Sequence, residues 1–464
     1  MRRPGVVQAF VISTPFAPSD AVSSPGYGPL LRLAGPVVLS RLGIMAMGLV
    51  DAIVVGRHSA TELGYQALGW APTAVVLTTS LGLLSGIQVM TSQAIGDDRA
   101  GDTGAILRRG LVYALWIAFV AAALLYFGGG PVMHNLGLVD GLANGATPVL
   151  QILALSLIPI LVGDAGMFWL EAHGRAVPGM IAIWASNIVN LALNLWLVPG
   201  DSGFAVQGAV ASGWATFVSR LGFLFMILAL IVTWRRAREL GVFTPTPDDP
   251  AAASAMRRIG YGASTSYFTE TLAFASMSIF AGWIGANAVA AWATVLNVAA
   301  LIFMVPLGLA TATGVLVGRA YGAGDSEGVR LAAKRGFVLT AAATLAICVI
   351  VAFGNDAIAA VYTHDAAVQA LTAAALLLSC LFFVADGLQV VGAQACRAQS
   401  DVWVPTYTHL ASYILVMMPL GYGLGVVVGM AVNGLVWSII VASLMSAVLL
   451  WARFLWLTRT GTTL

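Results

Sequence analysis

The sequence predicts an all-α polytopic membrane protein, with 12 transmembrane helices in two pseudo-symmetric six-helix lobes around a central cleft. The chain is 59% hydrophobic and 9% charged, whereas soluble domains are usually about 25% charged. The segment from Thr271 to Gly318 carries no charged side chain. As one helix it would be about 72 Å long, more than twice the thickness of a bilayer's hydrocarbon core. It therefore predicts two spans, joined by a turn within Gly282–Asn287.

Apolar stretches of similar length recur along the whole chain, so the protein is not a soluble domain with one anchor. Glycine is frequent in them, with 51 residues in all, as expected where helices approach one another closely in lipid. The stretches predict spans, in order, at 31–55, 67–92, 110–132, 148–171, 177–199, 206–233, 259–282, 288–317, 336–355, 367–395, 403–424 and 430–452.

Arginine determines the predicted orientation. With these spans, nearly all basic residues outside the membrane fall in loops on one side, and the opposite loops hold only Arg57. The positive-inside rule then places both termini in the cytoplasm, for a multi-pass protein of the cell (inner) membrane. Residues 1–30 are predicted to be a cytoplasmic tail, because the apolar run Val6–Ile12 is too short for the core of a secretory signal.

The second half of the chain repeats the first after a shift of 226 residues. Leu81-Gly82-Leu83 falls on Leu307-Gly308-Leu309, and paired basic residues follow in both copies. Six spans per copy is an even number, so both copies enter the membrane in the same direction. The predicted domains are a cytoplasmic tail (1–30), an N-lobe (31–234, spans 1–6), a cytoplasmic linker (235–258), a C-lobe (259–455, spans 7–12) and a cytoplasmic C-terminal tail (456–464).

Three motifs resemble the MATE (multidrug and toxic compound extrusion) family of transporters. Residues 47–63 resemble the family's first-helix signature, residues 303–325 its eighth helix and the following loop, and residues 187–194 its fifth-helix motif. The resemblance covers roughly residues 30 to 455. It implies a NorM-type secondary active antiporter, not an enzyme. Such a protein exports drugs and toxic organic, often cationic, compounds by alternating access, in exchange for H⁺ or Na⁺ and without a cofactor.

Four carboxylates fall well inside the predicted spans: Asp51, Asp164, Glu270 and Asp386. An ionised carboxylate at mid-membrane costs at least about 2.5–3.5 kcal/mol, so such side chains normally face the protein interior and have a function. The simpler explanation for any of them is a structural hydrogen bond to a neighbouring helix. For Asp164 that explanation is the preferred one.

The resemblance implies that Glu270 and Asp386 form the cation site of the second lobe. Where NorM-type proteins often have a tyrosine four residues before the aspartate, this chain has Phe382. A hydroxyl ligand is therefore lost, and water could complete the site. The two carboxylates are able to hold a monovalent cation, and no other metal site is predicted. Their counterparts in the first copy are the apolar residues Ile44 and Ile160.

In the first lobe, Asn187, Asn190 and Asn194 follow the i, i+3, i+7 spacing of one helical face. Asp51 on the first helix is their expected partner. Amide oxygens and a carboxylate suit either a hard monovalent cation or a proton network, and a polar packing stripe is the alternative. Asn194 occupies a position that is asparagine in NorM-type proteins and aspartate in DinF-type proteins, so this residue favours the resemblance to the NorM type. The predicted cation-coupling residues are thus Asp51, Asn190, Asn194, Glu270 and Asp386.

The choice between H⁺ and Na⁺ stays open, with protons slightly favoured by Phe382. The sequence does not identify the substrate-binding residues. Drug-like small molecules and membrane lipid are the predicted partners, nucleic acid is not, and the chain is predicted to be a monomer. The alternative functions are a lipid-linked saccharide flippase of the same superfamily and, less in keeping with the sequence, a membrane-embedded lipid enzyme. Only Asp97-Asp98 resembles the acidic loop that such an enzyme would need.

Overall fold

The computed structural model describes residues 26–135, 141–247 and 249–460. These form twelve long helical segments and no strand. Residues 1–25 and 461–464 of the predicted tails lie outside the described residues. The helices are α1 (Gly28–His58), α2 (Ala60–Gly96), α3 (Thr103–Asn135), α4 (Leu142–Ala172), α5 (Ala176–Leu197), α6 (Gly208–Val232), α7 (Pro250–Ile284), α8 (Ala286–Gly322), α9 (Ser326–Tyr362), α10 (Ala366–Arg397), α11 (Trp403–Val427) and α12 (Ala431–Thr460).

Eleven of the described helices are long and apolar enough to cross a membrane, and α7 is the exception. The predicted seventh span, 259–282, lies within α7. This helix is less apolar because it carries Glu270 together with serines and threonines, and Ser264, Ser266 and Thr269 are buried against neighbouring helices. Helix α7 thus faces protein more than lipid along these turns, which explains its lower hydropathy.

The turn predicted in the uncharged segment is confirmed. Helix α7 ends at Ile284 and α8 begins at Ala286. Gly285 between them has φ 143°, a backbone conformation that side chains with a Cβ rarely adopt. At the other end of α7, the Asp249 side chain accepts a hydrogen bond from the Ala252 backbone N–H at 2.9 Å, so the helix begins nine residues before the predicted span.

The repeat in the sequence is also a repeat of structure. The ends of α2 at 60 and 96 correspond to the ends of α8 at 286 and 322 under the same shift, and the other five helix pairs agree within about one turn. Helices α1–α6 and α7–α12 each enclose their own apolar core. A third apolar cluster joins the start of α1 to α8, α9, α10 and α12.

The two halves meet closely between the middle of the helices and one end of the molecule. This end is called here the linker end, and it carries the loops at 97–102, 233–247 and 323–325. A Cβ on Gly82 of α2 would overlap the backbone of Ser264 on α7, and one on Gly308 of α8 would overlap that of Val38 on α1. These two contacts are counterparts under the repeat. Gln93 adds a bond between the halves, since its Nε2 donates to the Ala398 carbonyl at 2.8 Å. Glycine is required here because the helix backbones touch.

Candidate cation-coupling sites

Asp51 lies on α1 in the interior of the first half, where only 5% of its surface is exposed. Asn194 Nδ2 donates to Asp51 Oδ1 at 2.7 Å. Thr216 Oγ1 on α6 donates to Asp51 Oδ2, also at 2.7 Å. Each carboxylate oxygen therefore has one donor, and the predicted partnership with the asparagine face of α5 is present. A hydrogen-bonded carboxylate of this kind can remain ionised or accept a proton.

The other two asparagines make different contacts. Asn190 Nδ2 donates to Thr216 Oγ1 at 3.4 Å, so Asn190 reaches Asp51 through the threonine. Asn187 Nδ2 donates to the Gly43 carbonyl of α1 at 2.8 Å. The amide oxygens of Asn187, Asn190 and Asn194 are buried and have no hydrogen-bond partner among the described residues. The face predicted from the spacing is thus polar and buried, with unused acceptors.

A cavity opens beside Asp51. Its walls are mostly apolar and include Met47, Trp70, Leu77 and Phe223. Polar side chains on the wall are Asp51, Asp164, Ser186, Asn187, Thr216 and Arg220. Ile44 and Ile160, the repeat counterparts of the second lobe's two acids, also line this cavity. It combines apolar walls with a few polar groups, as small-molecule sites commonly do.

In the second half, Glu270 on α7 and Asp386 on α10 lie close enough to interact electrostatically. Asp386 is 4% exposed, and Gln389 Nε2 donates to its Oδ1 at 3.2 Å. The Tyr413 hydroxyl faces both acids, yet its Oη lacks a well-formed hydrogen bond within the described part of the chain. The structure therefore brings the predicted pair together and adds a hydroxyl beside it.

Phe382 contributes no polar group to this pair. It is 5% exposed, and its ring lies 6.0 Å from that of Phe274 and 5.4 Å from that of Phe383. Tyr413 supplies a hydroxyl from α11 instead, on a π-helical stretch over Leu410–Met417. Such stretches are often found at functional sites.

Sequence reasoning missed two residues, Thr216 and Tyr413. Tyr413 had a usable signal, because under the repeat it is the counterpart of Asn187, which the spacing argument did select. Thr216 had none, since hydroxyl side chains are common in these helices.

The five predicted coupling residues form two separate groups: Asp51, Asn190 and Asn194 in the first half, and Glu270 and Asp386 in the second. Among the described residues, no group of three or more His, Cys, Asp and Glu could hold a metal ion.

Comparisons with known proteins agree with this architecture. A sequence profile of the MatE family matches residues 36–196 and 263–423, one copy in each half. A protein of Caulobacter vibrioides, described as a probable multidrug resistance protein NorM, is 50% identical and aligns over 92% of this chain and 90% of its own. The multidrug resistance protein PmpM of Pseudomonas aeruginosa is 30% identical over 85% of this chain and 83% of its own.

Solved structures show the same fold. An outward-facing multidrug resistance MATE family transporter of the MOP superfamily superposes with a TM-score of 0.89, covering 97% of this chain and 100% of that one at 16% identity. A MATE structure in the bent conformation gives 0.87 at 17% identity, with 97% and 100% covered. The predicted fold class, twelve transmembrane helices in two pseudo-symmetric lobes around a central cleft, is confirmed.

Proposed function

Because this chain belongs to the MATE family, as a member of NorM type, we propose that it is a secondary active antiporter that exports drug-like compounds in exchange for protons. It is a transporter rather than an enzyme. One observation carries the proposal: Asp51 is buried between two hydrogen-bond donors on the wall of a mostly apolar cavity. An apolar wall can accommodate chemically diverse compounds. A membrane carboxylate on that wall can couple their binding to a change of charge.

Protons are proposed as the coupling ion at Asp51. Its two oxygens accept from an amide N–H and a hydroxyl, and a buried carboxyl group of this kind can take up and release a proton. The second lobe offers carboxylates and one hydroxyl, with Phe382 in place of a further hydroxyl. Glu270 and Asp386 are proposed as a second coupling site, which a proton or a monovalent cation would bridge.

The lobes are proposed to exchange access by moving against each other around the cleft. Close backbone contacts at Gly82 and Gly308 join the lobes near the middle of α2 and α8, and they are counterparts under the repeat. A two-fold arrangement of this kind can open and close as a unit. The ion and the drug must each favour a different arrangement for transport to be coupled. Both sites lie within one chain, which supports a monomer as the transporting unit.

Cells that lack their own efflux pumps provide the test of the function. Expression of this chain should lower the steady-state accumulation of ethidium, a lipophilic cation, by about tenfold or more, and dissipation of the proton gradient should restore it. Unchanged ethidium accumulation combined with a changed transmembrane distribution of lipid-linked saccharide would contradict drug export and support the flippase alternative.

The proposed location is the inner membrane, with the linker end and both termini in the cytoplasm. The support is the arginine bias of the loops, and Arg99, Arg235 and Arg258 lie at this end. Reporter fusions placed in the loop at 97–102, in the segment 235–249 and after residue 464 should all report the cytoplasm. A fusion in the segment 235–249 that reads as external would overturn both the orientation and the six-plus-six division of the lobes.

A further inference from the structure

The first lobe contains a row of five buried charged side chains, of which the proposed function uses only Asp51. Its members alternate in sign and are no more than 6% exposed: Asp51, Arg220, Asp164, Arg41 and Glu171. Arg220 interacts with both Asp51 and Asp164. Asp164 interacts in turn with Arg41 and Glu171. This row, called here the charge ladder, runs from the cavity at Asp51 to the last turn of α4 at the linker end.

The two ends of the ladder differ in how well their charges are satisfied. At the linker end, Arg41 Nη2 lies 3.3 Å from both oxygens of Glu171, and Gln88 Nε2 donates to Glu171 Oε2 at 2.8 Å. Glu171 is therefore held as a fully paired carboxylate. Burial lowers the pKa of nearby His173, outside the span, to about 3, so this ring is neutral and adds no charge at that end.

The cavity end is under-satisfied. Asp164 Oδ1 and Arg220 Nε are buried without a hydrogen-bond partner in the described ranges, and both side chains line the same cavity as Asp51. Arg220 Nη1 donates to Ser156 Oγ at 2.6 Å, and its guanidinium carbon lies 5.6 Å from the centre of the Trp70 ring. No carboxylate described in the structure comes within 4 Å of Arg220. One cation is thus shared at a distance by two acids.

The charges of the ladder do not balance. Three carboxylates face two guanidiniums, so the fully ionised ladder would carry one net negative charge inside the membrane, which is costly. A single bound proton makes it neutral. Glu171 is already paired, which leaves Asp51 and Asp164 to hold that proton. The fold itself does not require the ladder, because the repeat counterparts of Arg41, Asp164 and Arg220 are Tyr267, Val390 and Ser446.

We propose that Asp164 is a second proton-carrying residue of the N-lobe, sharing one proton with Asp51 across Arg220. When the proton moves, the O–H bond of one carboxyl group breaks and an O–H bond forms on the other carboxylate. The net charge of the ladder stays unchanged and both arginines stay cationic. Arg41 and Glu171 are positioning residues that set the charge seen by Asp164. The inference rests on the proposed proton-coupled function.

The test counts protons released when ethidium binds to the purified full-length protein in weakly buffered detergent solution. Asp164→Asn makes the ladder neutral without a proton, so release should fall by about one proton per molecule. Asp51→Asn should lower it by the same amount, and the double variant no further. Arg220→Gln should increase the number of protons released, because the ladder without this cation can bind about one additional proton.

Matched variants separate this role from a structural one. Asp164→Glu retains a carboxyl group and should retain proton release. Asp401→Asn removes another buried acid, whose Oδ2 lies 2.7 Å from Arg453 Nε outside the ladder, and should leave the proton count unchanged. If Asp164→Asn does not fold, the other two variants still test the inference: Arg220→Gln should release about one more proton than the wild-type protein, and Asp164→Glu the same number. If the Asp164→Asn variant releases as many protons as the wild-type protein, the inference about Asp164 is wrong, whereas the proposed function still stands. Wild-type protein that binds ethidium without releasing protons would overturn the proposed coupling.

Discussion

Asp51→Asn should reduce gradient-driven drug export to the background of empty membranes, while the protein remains in the membrane in near-normal amount. The substitution preserves shape and burial but removes the charge. An asparagine amide can accept from only one of the two donors, Asn194 and Thr216, and presents its own N–H groups to the other. A protein that cannot change charge at this position cannot bind drug and ion alternately. Efflux assays and immunoblots of membranes measure the two quantities.

Two control variants sharpen this result. Thr216→Val removes one hydrogen bond to Asp51 and keeps its charge, so export should fall only partly. Asp201→Asn removes an exposed carboxylate in the loop between α5 and α6 and should export like the wild-type protein. Wild-type export by Asp51→Asn would mean that the carboxylate is a packing group, bound by Asn194 and Thr216 for stability alone.

Glu270→Gln and Asp386→Asn should each uncouple export from the ion gradient. The two carboxylates repel each other unless a proton or a cation bridges them, and their separation across α7 and α10 thereby depends on what is bound. Neutralising either one removes the repulsion and the site together. Drug binding should survive, because the cavity beside Asp51 lies in the other lobe. Gradient-driven uptake into vesicles should fall by about tenfold or more, and the double variant should be little worse than either single variant.

The matched control for this pair is Asp356→Asn, which removes an exposed carboxylate from α9. Tyr413→Phe tests the hydroxyl that faces both acids and should weaken coupling without abolishing it. Losses that add fully in the double variant would indicate that Glu270 and Asp386 act independently. Wild-type export by either single variant would reject the pair as a coupling site.

The fold could be predicted from the sequence where its signals are strong and local. The uncharged stretch from Thr271 to Gly318 is too long for one span and therefore predicts a turn. Gly285, with its positive φ, lies at that turn. The repeat predicted matching helices, and the ends of α2 and α8 agree. The start of α7 was harder to predict, because its capping residue Asp249 lies before the apolar stretch that hydropathy detects.

The sites could be predicted only in part. The asparagine spacing on α5 and the rarity of membrane carboxylates were sufficient to pair Asn194 with Asp51. Thr216 comes from a helix distant in sequence, and nothing in its local pattern marks it among many hydroxyl side chains. Tyr413 is marked only by the repeat, as the counterpart of Asn187. For Asp164, the explanation preferred from sequence is a structural hydrogen bond, and its neighbours Arg41 and Arg220 are far apart in the chain. Only the folded structure places the three side chains in one row.

The most direct test of the central claim uses purified protein in lipid vesicles, with either a pH gradient or a sodium gradient imposed alone and ethidium accumulation recorded. Antiport with protons predicts that an acidic interior drives ethidium into the vesicles, that collapse of the pH gradient stops it, and that a sodium gradient alone has little effect. Accumulation that is the same with and without either gradient would contradict the account.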